Sequence, residues 1–142
     1  HKRETRAVAE FKPEFTWDHA HLRTPDVLAT AGWLQDKLSA STVAGTEVKP
    51  DRADLVIGGV RVLVTSIPAG ETVHPAPVTP HLGLDHFGLA VRDIDKVADQ
   101  LKAKGVEFTR GPVTPRPGIR IAFIRGPQGL SIELLERDAK YT

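Results

Sequence analysis

The sequence predicts an α+β fold made of two copies of one unit, each a strand, a helix and three further strands. Three observations carry this. The dipeptide Asp18-His19 recurs as Asp85-His86; each copy precedes a second aspartate, Asp26 or Asp93, at the same interval; and each of those aspartates opens a helical pattern. A repeat of this length present only twice suits a two-module domain rather than a solenoid.

Taken in order, residues 1–14 are mostly charged and polar, with Val8 and Phe11 as isolated apolar points, and read as an N-terminal arm. Phe15 to Arg23 reads as a strand, whose alternation sets Trp17, His19, His21 and Arg23 on one face. Thr24-Pro25-Asp26 reads as a helix start with Thr24 as N-cap and Pro25 at the first helical position. The helix is expected to run to about Leu38 and to bury Leu28, Ala31, Leu34 and Leu38. Three short strands follow, around Val43 to Val48, Asp54 to Ile57 and Val60 to Ser66, the last two joined by a Gly58-Gly59 turn. Pro68, Pro75, Pro77 and Pro80 exclude a regular helix or central strand over 67–82, which reads as a linker.

The second unit, 83–137, repeats the order of the first, 15–66. Leu84 to Val91 reads as a strand with Phe87, Leu89 and Val91 on one face and His86, Gly88 and Ala90 on the other. Asp93 caps a helix whose Ile94, Val97, Ala98 and Leu101 form one buried stripe, and Gly105 ends it. Val106 to Arg110 is read as a strand, Gly111 to Gly118 as a long turn, Ile119 to Arg125 as a strand, and Gly126 to Gly129 as a hairpin turn into Leu130 to Glu136.

Composition bounds the function. The 142 residues, 40% of them hydrophobic, suffice for one globular domain over 15–137. With 19 basic and 18 acidic residues the chain carries no electrostatic footprint for nucleic acid or an anionic membrane, so a small molecule or a second copy is the expected partner. There is no cysteine, so any metal must be held by His, Asp or Glu. No apolar run approaches the roughly 20 residues that span a bilayer, and the chain reads as soluble and cytoplasmic. Its start at His1 leaves a tag remnant, a truncation or a removed signal open.

Glu133 falls mid-strand between Ile132 and Leu134. A carboxylate there is costly to bury unless it is paired, for instance with Arg120, or bound to a metal. His19 and His86 hold equivalent places in the two units. Together with Glu133 they make a three-ligand set that leaves coordination positions open. Arg23, Arg61 and Arg120 are expected on the same open face, where a guanidinium holds a carboxylate or phosphate bidentately. His74 and His81 lie in the linker, as exposed residues or as a lid.

The stretches Leu84 to Asp93, Lys102 to Phe108 and Ile124 to Leu134 together resemble the vicinal oxygen chelate superfamily, which contains glyoxalase I, extradiol dioxygenases, methylmalonyl-CoA epimerases, fosfomycin thiol transferases and bleomycin-binding proteins. The resemblance covers about 15–137. It implies two βαβββ modules whose curved mixed sheets enclose a metal-binding cleft, in a homodimer whose modules pair within or between chains. It further implies one divalent metal on His19, His86 and Glu133. Where the family pattern has a fourth ligand, this chain has Leu63. A His, His, Glu set is similar to that of extradiol dioxygenases and fosfomycin thiol transferases. The expectation is therefore an Fe(II)-dependent dioxygenase for a catechol-like substrate, with His21 as acid/base residue; Mn(II), Zn(II), Ni(II) or Co(II) are the other metals. The alternatives are a non-redox lyase or isomerase of glyoxalase type and a metal-free ligand-sequestering protein.

Overall fold

Eight strands, those over Arg52–Ile57, Val60–Thr65 and Ser131–Arg137 alternating buried and more exposed residues over most of their length, build two four-stranded mixed sheets in the computed structural model, which describes residues 14–142. The arm expected over 1–14 lies outside them, Glu14 apart. The first unit comprises β1 (His19–Arg23), α1 (Val27–Leu38), β2 (Ser41–Thr42), β3 (Arg52–Ile57) and β4 (Val60–Thr65). The second comprises β5 (Phe87–Ala90), α2 (Ile94–Ala103), β6 (Phe108–Arg116), β7 (Ile119–Arg125) and β8 (Ser131–Arg137). Strand order is β1-β4-β3-β2 in one sheet and β5-β8-β7-β6 in the other. In each, the first strand runs parallel to the last and the remaining pairs are antiparallel.

One face of each sheet is covered by its own helix. Val27, Ala31 and Leu34 of α1 pack on Ala53, Leu55, Ile57, Val62 and Val64, while Ile94 and Leu101 of α2 pack on Ala122, Ile124, Ile132 and Leu134. Trp33, Leu38 and Leu89 touch both clusters and join the two units. Between the units, 67–82 holds no helix or strand. No helix among the described residues is long and apolar enough to cross a membrane.

Several elements differ from expectation. The cap of α1 is Asp26, whose carboxylate accepts from the Ala29 amide at 2.9 Å; Thr24 is buried instead and accepts from the Thr30 hydroxyl at 2.9 Å. The buried face of the helix is Val27, Thr30, Ala31 and Leu34, and Leu28 is 53% exposed. The strand expected over Val43 to Val48 is absent, and β2 is confined to Ser41 and Thr42. The turn expected over Gly111 to Gly118 is confined to Pro117 and Gly118, and residues 111–116 extend β6 instead. Prolines are tolerated there because β6 is the sheet's edge, where a missing N–H faces no neighbour, and its register shifts repeatedly along β7.

Candidate functional site

The register of the parallel pairs fixes which positions correspond between the two units. On β1 and β4, His19 stands opposite Arg61 and His21 opposite Leu63. On β5 and β8, Phe87 stands opposite Ile132 and Gly88 opposite Glu133. Stepping back one residue sets His86 against Ser131, so Glu133 lies two residues beyond the partner of His86. Leu63 lies two beyond the partner of His19, and is the geometric counterpart of Glu133.

Both positions are on the sheet faces that the helices leave open. In β8, Ile132 and Leu134 turn to α2, and Glu133 turns away. His86 meets it there, with Nε2 3.1 Å from Glu133 Oε1 and Nδ1 2.8 Å from Asp85 Oδ2. The imidazole stands edge-on to Phe123, ring centres 4.9 Å apart. Asp85 raises the His86 imidazolium above the usual histidine range; burial opposes it and Glu133 adds to it. Gly88 leaves the room: a Cβ there would lie 3.1 Å from Leu135 Cδ2 and 3.8 Å from Glu133 Oε1.

The first unit repeats half of this arrangement. His19 Nδ1 lies 2.7 Å from Asp18 Oδ2, and this hydrogen bond holds the Asp18 carboxyl below the usual carboxylate range. With Leu63 in place of a carboxylate, no partner on β4 takes the other nitrogen. His21 differs from both: its Nε2 lies 2.6 Å from Thr65 Oγ1. Burial first, then the charges of Arg23, His19 and Arg52, push it below the usual histidine range, which keeps the ring neutral. Among the described residues no three His, Asp or Glu side chains of one chain converge on a point that would hold a metal ion. One chain therefore brings together His86 and Glu133 and leaves His19 apart.

The arginines divide. Arg61 lies on the open face beside His19, and Arg23 donates to the Ser66 carbonyl at 2.9 Å. Arg120 corrects the expectation. It sits on the helix side with Ala122 and Ile124, where its Nη2 donates to Asp95 of α2 at 2.9 Å and its Nη1 to Thr114 at 3.2 Å. The parity of β7 was unreadable because Ile119 and Ile121 are buried on one face and Ala122 and Ile124 on the other. Arg120 is therefore not a partner of Glu133 either.

A cleft of about 240 Å³ opens between the end of β1, the start of β5 and the turn before β8, with His21, Arg23, His81, His86, Phe87 and Gln128 among its lining. Linker residues form one wall, and Arg125 ties them down by donating to Thr79 Oγ1 at 2.7 Å and to the Gly129 carbonyl at 3.1 Å. Phe123 and Arg125 escaped the sequence reading because an aromatic and a basic residue in β7 carry no mark of the face they take. The two aspartates before the histidines were visible as part of the repeat, but only geometry gives them a contact.

Two like modules, one with His19 and His21 on its first strand and the other with His86 beside its first strand and Glu133 on its last, define a tandem βαβββ protein. A family model described as the Glyoxalase/Bleomycin resistance protein/Dioxygenase superfamily matches residues 16–134, and the chain belongs to that superfamily. Over 56 residues it is 46% identical to the "Probable lactoylglutathione lyase, chloroplastic" of Arabidopsis thaliana, covering 39% of this chain and 16% of that protein. Over 59 residues it is 36% identical to the "Probable lactoylglutathione lyase" of Synechocystis sp., covering 41% and 45%. The matched stretch thus spans less than half the length of either relative. Among solved structures, the fosfomycin resistance protein FosX of Listeria monocytogenes superposes with a TM-score of 0.65 at 16% identity, covering 89% of this chain and 94% of that one. A glyoxalase family protein of Bacillus cereus superposes with a TM-score of 0.68 at 22% identity, covering 91% and 97%. These likenesses establish the fold.

Proposed function

We propose that the protein is a divalent-metal-dependent lyase or isomerase acting on a small oxygen-bearing substrate, with His19, His86 and Glu133 as metal ligands. The observation that carries this is the His86 ring held between Asp85 and Glu133, with Nε2 aimed at a carboxylate oxygen. A neutral imidazole and a carboxylate suit Mn(II), Fe(II), Co(II), Ni(II) or Zn(II). When bound, such an ion supplies Lewis-acid polarisation of the substrate oxygens. The relatives' names favour non-redox chemistry over the oxidation expected from sequence.

In this reading His21 moves the proton. Its ring is neutral at physiological pH, so Nδ1 is free to take a proton from carbon beside a carbonyl and return it to the neighbouring carbon. Arg23 and Arg61 hold a substrate carboxylate from the open face of the first sheet. The chain contributes one two-module domain over 15–137, placed in the cytoplasm, and works as a pair of such domains; one relative's name assigns that protein to the chloroplast.

A second copy supplies His19. Support comes from the position of His19 on a sheet separate from that of His86 and Glu133, and from four exposed side chains. Phe15 and Trp17 are each 86% exposed ahead of His19, and Leu82 and Leu84 are 98% and 78% exposed at the matching places ahead of His86. Apolar residues repeated at such positions suit burial against a second chain.

Metal analysis of protein purified without chelator is expected to give about one divalent ion per chain, abolished by His86→Ala. Protein without metal would leave only the ligand-sequestering reading. The first substrate to offer is a hemithioacetal of an α-oxoaldehyde, one proton shift from a lactoyl thioester, with turnover unchanged under argon. One observation favours a second reading: Leu63 in place of a fourth ligand leaves the two-histidine, one-carboxylate set of non-haem Fe(II) oxygenases. O2 uptake with a catechol would select it.

A further inference from the structure

We infer that Asp18 and Asp85 are positioning residues that select the metal-binding tautomer of His19 and His86, an inference that rests on the metal reading above. The chain carries three histidines on or beside its two first strands, and they divide by which ring nitrogen is tied. His19 and His86 are each held through Nδ1 by the carboxylate of the preceding residue, at 2.7 and 2.8 Å. His21 is held through Nε2 by the Thr65 hydroxyl, at 2.6 Å. The division follows the proposed roles: both ligand histidines share one arrangement and the acid/base histidine has the other.

The chemistry follows from the acceptor. An ionised carboxylate only accepts hydrogen bonds, so a neutral ring beside it keeps its proton on Nδ1 and its lone pair on Nε2. In His86 the ring faces a carboxylate on each side, Asp85 at 2.8 Å from Nδ1 and Glu133 at 3.1 Å from Nε2, and when Nε2 and Glu133 both turn to a cation only Asp85 is left to hold the ring proton. The same carboxylate also offsets the positive charge that the ring acquires on binding a cation. The arrangement occurs in both units although the fourth ligand position is Leu63 in one and Glu133 in the other, so it accompanies the histidine and not the carboxylate. Asp85 is the more sheltered of the two, its side chain 46% exposed against 86% for Asp18, and is expected to have the larger effect.

The test uses the full chain with Asp85→Asn, Asp18→Asn and, as a control on an exposed helix position without a histidine beside it, Asp99→Asn. Asparagine keeps the shape but can donate to Nδ1, which allows the tautomer whose Nε2 is protonated and cannot ligate. Co(II) affinity, measured by competition with a chromogenic chelator, is expected to fall about 10–100-fold for Asp85→Asn and by a smaller factor for Asp18→Asn. Asp99→Asn should leave it unchanged. In parallel, nitrogen-15 spectra of the metal-free protein, taken where both rings are neutral, should show Nδ1–H at His19 in the wild type and its loss in Asp18→Asn, and at His86 a larger share of Nδ1–H in the wild type than in Asp85→Asn, because the Nδ1 contact is the shorter of the two. Wild-type affinity for Co(II) in both asparagine variants would overturn the positioning role and leave the metal reading intact. A wild-type chain that takes up no Co(II) would overturn both.

Discussion

The start of α2 is held by one carboxylate from another strand. Glu136 accepts from the amides of Asp93 and Ile94 at 3.0 and 3.1 Å and also accepts a hydrogen bond from the Tyr141 hydroxyl. Tyr141 first, then the Ile94 and Asp93 amides, hold Glu136 down to about 2, and the Tyr141 phenol is pushed up to about 12 by the same bond. A depressed carboxyl stabilises the fold fully above its ordinary value, and the contribution is lost as pH falls through the folded value. Glu136→Gln should therefore lower the melting temperature at pH 7, and the gap from wild type should close as pH falls from 4.5 towards about 2. Calorimetry across that range checks it. The Asp93 cap was legible because its signal is local; Glu136 and Tyr141 were not, since a contact between a helix start and the chain's last residues leaves no spacing to read.

At the level of elements, α1 shows what limits such a reading. Apolar residues at 27, 28, 29, 31, 33, 34 and 38 admit two overlapping stripes, and the choice between them is made by packing on β3 and β4, which no spacing within the helix encodes. That packing buries Leu34 completely and leaves Leu28 turned out. Leu34→Ala is expected to cost about 2–5 kcal/mol in chemical denaturation, from lost burial and an unfilled cavity. Leu28→Ala should change stability by no more than about 0.5 kcal/mol. Equal losses would mean that the other stripe is buried. In α2 only one stripe exists, and Ile94, Ala98 and Leu101 are buried where periodicity put them. Prolines misled in β6 because proline reports a missing donor, which an edge strand tolerates as well as a turn does.

At the scale of the molecule, duplication made the architecture readable: each unit was an independent statement of the same order, so an error in one was checked by the other. The site was readable only in part. His86 and Glu133 belong to one module, and parallel pairing of its first and last strands brings them together. Whether His19 joins them depends on how modules pair, which no local pattern encodes. Chains carrying His19→Ala and chains carrying His86→Ala should each bind no metal alone. Co-expressed, they should recover about one quarter of wild-type sites, because half of randomly assorted dimers are mixed and each mixed dimer holds one intact site. No recovery would mean that the site is completed within a chain.

The two arginines at the ends of the linker bear on how the modules stay together. Arg23 holds the Ser66 carbonyl at one end and Arg125 holds Thr79 towards the other, so the free span is about twelve residues, which reaches at most about 40 Å when fully extended. A short tether makes the meeting of its two ends a local event, with effective concentrations in the millimolar range. The shared contacts at Trp33, Leu38 and Leu89 consequently need only millimolar intrinsic affinity to keep the halves docked, which leaves the open sheet faces free for whatever they bind.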